Sequence, residues 1–257
     1  MFSSIQICRV FGIPIRVHFT LLLFLPFFAS ELAPRDSHSG IFWGLLGAVA
    51  LFASVALHEL GHSVAALAKG YHVRDITLWP IGGVAMLTQF PTRAWDEFVI
   101  AIAGPLVSLA LGIIGMLAGP ALAVTGLGGL GFVTTYVVGY VNIGLFLFNL
   151  IPAFPMDGGR ILRAALTKPY GRLEATRKAS SLSRFLAVVY GVYSLLHGNF
   201  IAALIALFVF NAAGSEYRMV QLQEMQQWNP LFDFFGRPVV PPAPDIEVEV
   251  SPPPYKR

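Results

Sequence analysis

The chain has 257 residues, 56% of them hydrophobic and only 12% charged, with a mean hydropathy of +0.69. A soluble domain carries about 25% charged residues, so the composition excludes an ordinary soluble globular protein and indicates an all-α polytopic membrane protein in a lipid bilayer. The net charge of +3 gives no reason to expect a nucleic-acid partner. A single cysteine, Cys8, leaves no internal disulfide framework and no cysteine-based metal site.

Residues 5–17 alternate apolar and polar side chains on both sides of Phe11-Gly12-Ile13-Pro14, a pattern that predicts a short hairpin at the membrane surface. No cleavable signal peptide is expected here, because no small-residue cleavage site follows a short apolar core. A first span is expected over about His18 to Ala29. A longer apolar stretch runs from Ile41 to Ala68. Residues 73–87 are β-branched and alternating, with Pro80, Gly82 and Gly83 in their middle, and predict strand, turn, strand. Further spans are expected over Phe98–Leu117 and Phe132–Leu150, then a short helix over Gly158–Leu166. Residues 185–213 are interrupted by His197-Gly198-Asn199 and read as two short spans or one long helix.

Charge chooses between those two. With about six spans and a cytosolic N-terminus, every basic residue except Arg35 falls on the cytosolic side, as the positive-inside bias requires. A single helix over 185–213 would put Arg218, Arg237, Lys256 and Arg257 outside, so two spans are preferred and both termini are expected in the cytosol. Residues 1–215 then form the membrane domain, with its small sheet element at the surface. Residues 216–257 form a cytosolic tail, Pro-rich and expected to be disordered from about Asn229. Residues 215–227 could form an amphipathic surface helix.

The chemistry concentrates in His58-Glu59-Leu60-Gly61-His62. Histidines four apart share one helix face, about 6 Å apart along the axis, so two imidazoles can meet one tetrahedral Zn²⁺. Glu59, beside the first ligand, is placed to act as general base toward zinc-activated water. A carboxylate inside an apolar span is costly unless it is functional. His58 also lies 11 residues before Lys69, about 16 Å deep along a helix. A third ligand must come from elsewhere. His18, His72 and His197 fall near span ends and His38 in an outer loop, as ordinary histidines do. Asp157 follows an apolar span and two helix-breaking prolines, Pro152 and Pro155. It is either that ligand or the cap of the helix that begins at Gly158.

His58-Glu59-Leu-Gly-His62, followed by Asn149-x-x-Pro152-x-x-Pro155-x-Asp157-Gly158-Gly159, resembles the site-2 protease family of intramembrane zinc metalloproteases. Pro80-Ile-Gly82-Gly83, Ala103-Gly104-Pro105 and the pair Arg16 and His18 resemble lesser features of that family. The resemblance covers residues 5–215. It implies zinc as cofactor, His58, His62 and Asp157 as metal ligands, and Glu59 as catalytic base. It also implies substrate binding by Asn149, Gly82 and Gly83, the last two at an edge that pairs with an unwound substrate strand. The implied reaction is hydrolysis of a peptide bond in or next to a transmembrane segment of a membrane-protein substrate, as in regulated intramembrane proteolysis. Two departures stand out. Ser108 occupies a position where the family often has Asn, and neither residues 69–93 nor the stretch after Ala213 is long enough for the PDZ or CBS modules that many members carry. A zinc carrier could use the same ligands but has no need of Glu59, and a silent scaffold has no need of the full set. Self-association as a homo-oligomer is left open.

Overall fold

The computed structural model describes residues 4–34, 39–80, 82–88, 91 and 93–228. The expected disordered tail from Asn229, and His38 and Arg35 of the outer loop, lie outside the described residues. Strands β1 (Ser4–Val10) and β2 (Ile13–His18) form the expected N-terminal hairpin. Phe11 and Gly12 both take positive φ, 50° and 80°, the left-handed pair that suits a tight hairpin turn. Strands β3 (Val73–Trp79) and β4 (Gly82–Leu87) form the second hairpin.

The two hairpins join into one four-stranded sheet of order β1-β2-β3-β4, in which β2 and β3 run parallel, with Ile15 opposite Ile76 and Val17 opposite Leu78. Parallel strands need a long crossover. Here it consists of α1 (Phe19–Glu31) and α2 (Gly40–Ala68). The inward row Ile13, Ile15, Val17, Ile76 and Leu78 is buried against Leu21 and Phe52. Removing such a side chain from water contributes about 1.5–3 kcal/mol, enough to hold the sheet firmly against α2, whose lower half carries the His-Glu-Leu-Gly-His motif.

Five helical segments among the described residues are long and apolar enough to cross a membrane. They are α2; α3 (Ala94–Val124); the continuous run 128–149; α7 (Arg172–Leu196); and α8 (Phe200 onward). The run 128–149 comprises α4 (Gly128–Val133), a π-helical stretch Thr134–Val141 and α5 (Asn142–Asn149). The first expected span, α1, is apolar but has 13 residues, about 20 Å of helix, against a hydrocarbon core of about 30 Å. With α1 the apolar segments number about six. Residues 185–213 are divided by a turn at 197–199 between α7 and α8, and the left-handed Gly198, φ 70°, makes that turn. Helix α8 continues unbroken to Trp228, so the boundary expected at 215/216 falls inside it.

Helix α6 (Asp157–Tyr170) is the amphipathic exception, spanning less than a bilayer. Its buried Arg163 donates through Nε to Glu97 of α3 at 2.7 Å and through Nη1 to Glu216 of α8 at 3.2 Å. The guanidinium also lies over the ring of buried Phe154, 5.0 Å from its centroid. One cation thereby ties together three helices distant in sequence. Arg163→Met leaves the buried Glu97 and the half-buried Glu216 without their partner, and loss of one member of a buried ion pair costs about 3–5 kcal/mol. Unfolding in micelles titrated with a denaturing detergent should show a loss of that order.

Candidate active site

Two buried histidines in an apolar helix must have both ring nitrogens accounted for. His62 Nδ1 lies 2.7 Å from the backbone carbonyl of Ile100. A carbonyl only accepts, so this nitrogen carries the proton and Nε2 keeps its lone pair. His58 Nδ1 lies 2.8 Å from Oγ of Ser108, which is fully buried. Both outer partners belong to α3, which packs along α2. Gly104, also on α3, faces the His62 imidazole so closely that a Cβ there would overlap it.

The inner nitrogens converge. His58 Nε2 and His62 Nε2 are 3.1 Å apart, and Asp157 Oδ2 is 3.3 Å from the first and 3.2 Å from the second. Asp157 reaches this point because the chain turns sharply after α5 and re-enters as α6. Gly158 and Gly159 pack directly on the backbone of that turn, where a Cβ on Gly159 would sit 2.6 Å from the Phe154 nitrogen. Met156, not Asp157, occupies the cap position of α6, and no side chain caps the helix. The carboxylate is therefore free to face the histidines.

Three electron-pair donors at 3.1–3.3 Å from one another repel unless a cation or proton lies between them. Ligands of a tetrahedral ion at about 2.0–2.1 Å stand roughly 3.3 Å apart, so the spacing fits zinc. His58, His62 and Asp157 form the one group of potential metal ligands of this kind among the described residues. Three protein donors leave one position open, as a catalytic zinc requires.

The remaining expected site residues divide. Glu59 lies beside the cluster, with Gly83 of β4 against its side chain: a Cβ on Gly83 would lie 2.5 Å from Glu59 Cγ. Gly82 has φ 142° and open space around its α-carbon. Asn149 ends α5, and its amide donates to the Leu145 carbonyl of its own helix at 3.0 Å, so it makes no hydrogen bond to the cluster. Ser108 and the Ile100 carbonyl are the partners that the motifs do not name. The Ser108 hydroxyl meets His58 directly, and a backbone carbonyl leaves no mark in sequence.

Outer partners fix the ring and tautomer of a metal-bound histidine, and their loss costs about 10–100-fold in metal affinity. Ser108→Ala should weaken zinc binding by that factor. Gly104→Ala, which displaces the His62 ring, should weaken it at least as much. Competition with a chromogenic chelator measures both.

Residues 46–128 and 129–193 match Peptidase family M50. The chain is 39% identical to a zinc metalloprotease of Methanocaldococcus jannaschii over 96% of its own length and 70% of that protein's. A relative in Synechocystis sp. is 36% identical over 88% of this chain, and this chain spans 63% of that longer protein. Among solved structures, the site-2 protease from Methanocaldococcus jannaschii superposes with a TM-score of 0.59 at 39% identity, covering 83% of this chain and 95% of that one. The chain belongs to Peptidase family M50, the site-2 proteases, and is an integral membrane zinc metalloprotease.

Proposed function

We propose that the chain is an intramembrane endopeptidase that hydrolyses a peptide bond in or next to a transmembrane segment of a membrane-protein substrate, with Glu59 as general base. The observation that carries this reading is the position of Glu59, inside α2 beside three convergent donors and under the backbone of β4. Zinc, when held by His58, His62 and Asp157, supplies Lewis acidity that polarises the scissile carbonyl and makes water easier to deprotonate.

Glu59 takes a proton from the attacking water as its oxygen bonds to the carbonyl carbon. The C–N bond then breaks, and Glu59 returns the proton to the leaving amine; the new carboxyl group then gives up water's second proton to that amine, leaving one carboxylate and one ammonium. Strand β4 is an edge of the sheet, so its outer backbone groups are open to an extended segment. A substrate helix unwound along β4 would add as a fifth strand, with Gly82 and Gly83 allowing backbone to approach Glu59. Asn149 would orient that strand once its amide leaves Leu145. The charge distribution supports cytosolic termini and a metal-binding end of α2 that faces the cytosol, with the N-terminal 215 residues as the proteolytic unit.

Glu59→Gln keeps the shape of the side chain and removes the base. In liposomes with a reporter transmembrane substrate, cleavage should fall by a factor of about 10²–10⁴ while zinc content stays at the wild-type level. Wild-type cleavage by this variant would overturn the assignment of the base.

A further inference from the structure

Arg160 lies on α6 one turn beyond Asp157, and residues three apart on a helix share a face. It is half-buried, and among the described residues it makes no hydrogen bond and no ion pair. Arg163, one turn further along the same helix, engages two carboxylates. The charge of Arg160 nevertheless acts on both Glu59 and Asp157. Its donors engage no protein group among the described residues, on the face of α6 that also carries Asp157. The amide of Asn149, the donor expected near the reacting bond, is occupied by the Leu145 carbonyl.

We propose that Arg160 is a catalytic residue that donates to the scissile carbonyl oxygen as it becomes anionic, and then to the carboxylate of the N-terminal product. The proposal rests on the proteolytic reading above. When the water oxygen bonds to the carbonyl carbon, the carbonyl π electrons move onto its oxygen. The planar fork of Arg160 would meet that charge, and donors aimed at developing charge act chiefly on the transition state. When the C–N bond breaks, the electrons return to the carbon–oxygen bond. The charge that remains is that of the product carboxylate, a two-oxygen group that a guanidinium binds bidentately.

Arg160→Gln and Arg160→Lys, compared with wild type and Glu59→Gln in liposomes on the reporter substrate, test this. Arg160→Gln should lower kcat by about 10²-fold, the scale of one lost oxyanion donor, with KM changed less than threefold and zinc content unchanged. Arg160→Lys should recover part of the loss, since it restores charge without the fork. A peptide ending in the product carboxylate should inhibit wild type better than its carboxamide, and Arg160→Gln should erase at least tenfold of that preference. Activity of Arg160→Gln within threefold of wild type would overturn the proposal. So would loss of zinc along with activity, which makes Arg160 a support for the ligands, or a loss seen only with substrates that carry an acidic side chain near the cut. If wild type cleaves and Glu59→Gln does not, these results bear on Arg160 alone. If wild type does not cleave either, the proteolytic reading fails and takes this proposal with it.

Discussion

A histidine buried in an apolar helix has two nitrogens and no water to satisfy them, and α2 carries two such residues one turn apart. Helix α3 resolves half of the problem by receiving both outer nitrogens, through the Ile100 carbonyl and the Ser108 hydroxyl. The Ile100 carbonyl turns the His62 lone pair inward, where it meets His58 Nε2 and the Asp157 carboxylate at 3.1–3.3 Å. Only a cation or a proton at the centre makes the arrangement stable. Much of the fold can be understood as what holds those three donors at that distance: α3 against α2, the turn that returns the chain to Asp157, and the Arg163 cluster that ties α6 to α3 and α8.

The same constraint explains where small residues are needed. Gly104 leaves room for the His62 ring, and Gly83 lets a strand edge come down on Glu59. Close approach of helices in an apolar medium depends on small residues, because lipid and side chain are equally apolar and packing alone must hold them. The sheet differs. It gains from burial of Ile13, Ile15, Val17, Ile76 and Leu78, so it forms a rigid roof whose free edge lies over the site.

The parts of this arrangement that were legible in sequence are those written as local pattern. The spacing of His58, Glu59 and His62 follows from one helical turn. The two hairpins follow from alternation and turn residues, and the break before Phe200 follows from His197-Gly198-Asn199 together with charge placement. Asp157 could be singled out because it follows two prolines at the end of a span, but only the structure, with Met156 at the cap position, separates ligand from cap. Other parts are set by contacts between distant segments. The parallel pairing of β2 with β3 spans some sixty residues and leaves no local signature. The Ile100 carbonyl is invisible to any reading of side chains. Arg163 reads as one more cytosolic basic residue until α3 and α8 bring Glu97 and Glu216 to it. The π-helical stretch before Asn142 likewise had no signal in an apolar run.

The account stands or falls on one zinc ion among His58, His62 and Asp157. X-ray absorption at the zinc edge on the purified full chain in detergent measures its surroundings directly. The account predicts one zinc per chain, bound by two imidazole nitrogens at about 2.0 Å with the remaining ligands oxygen. A shell containing sulfur or a single imidazole, or a chain purified with activity but without stoichiometric zinc, would contradict it.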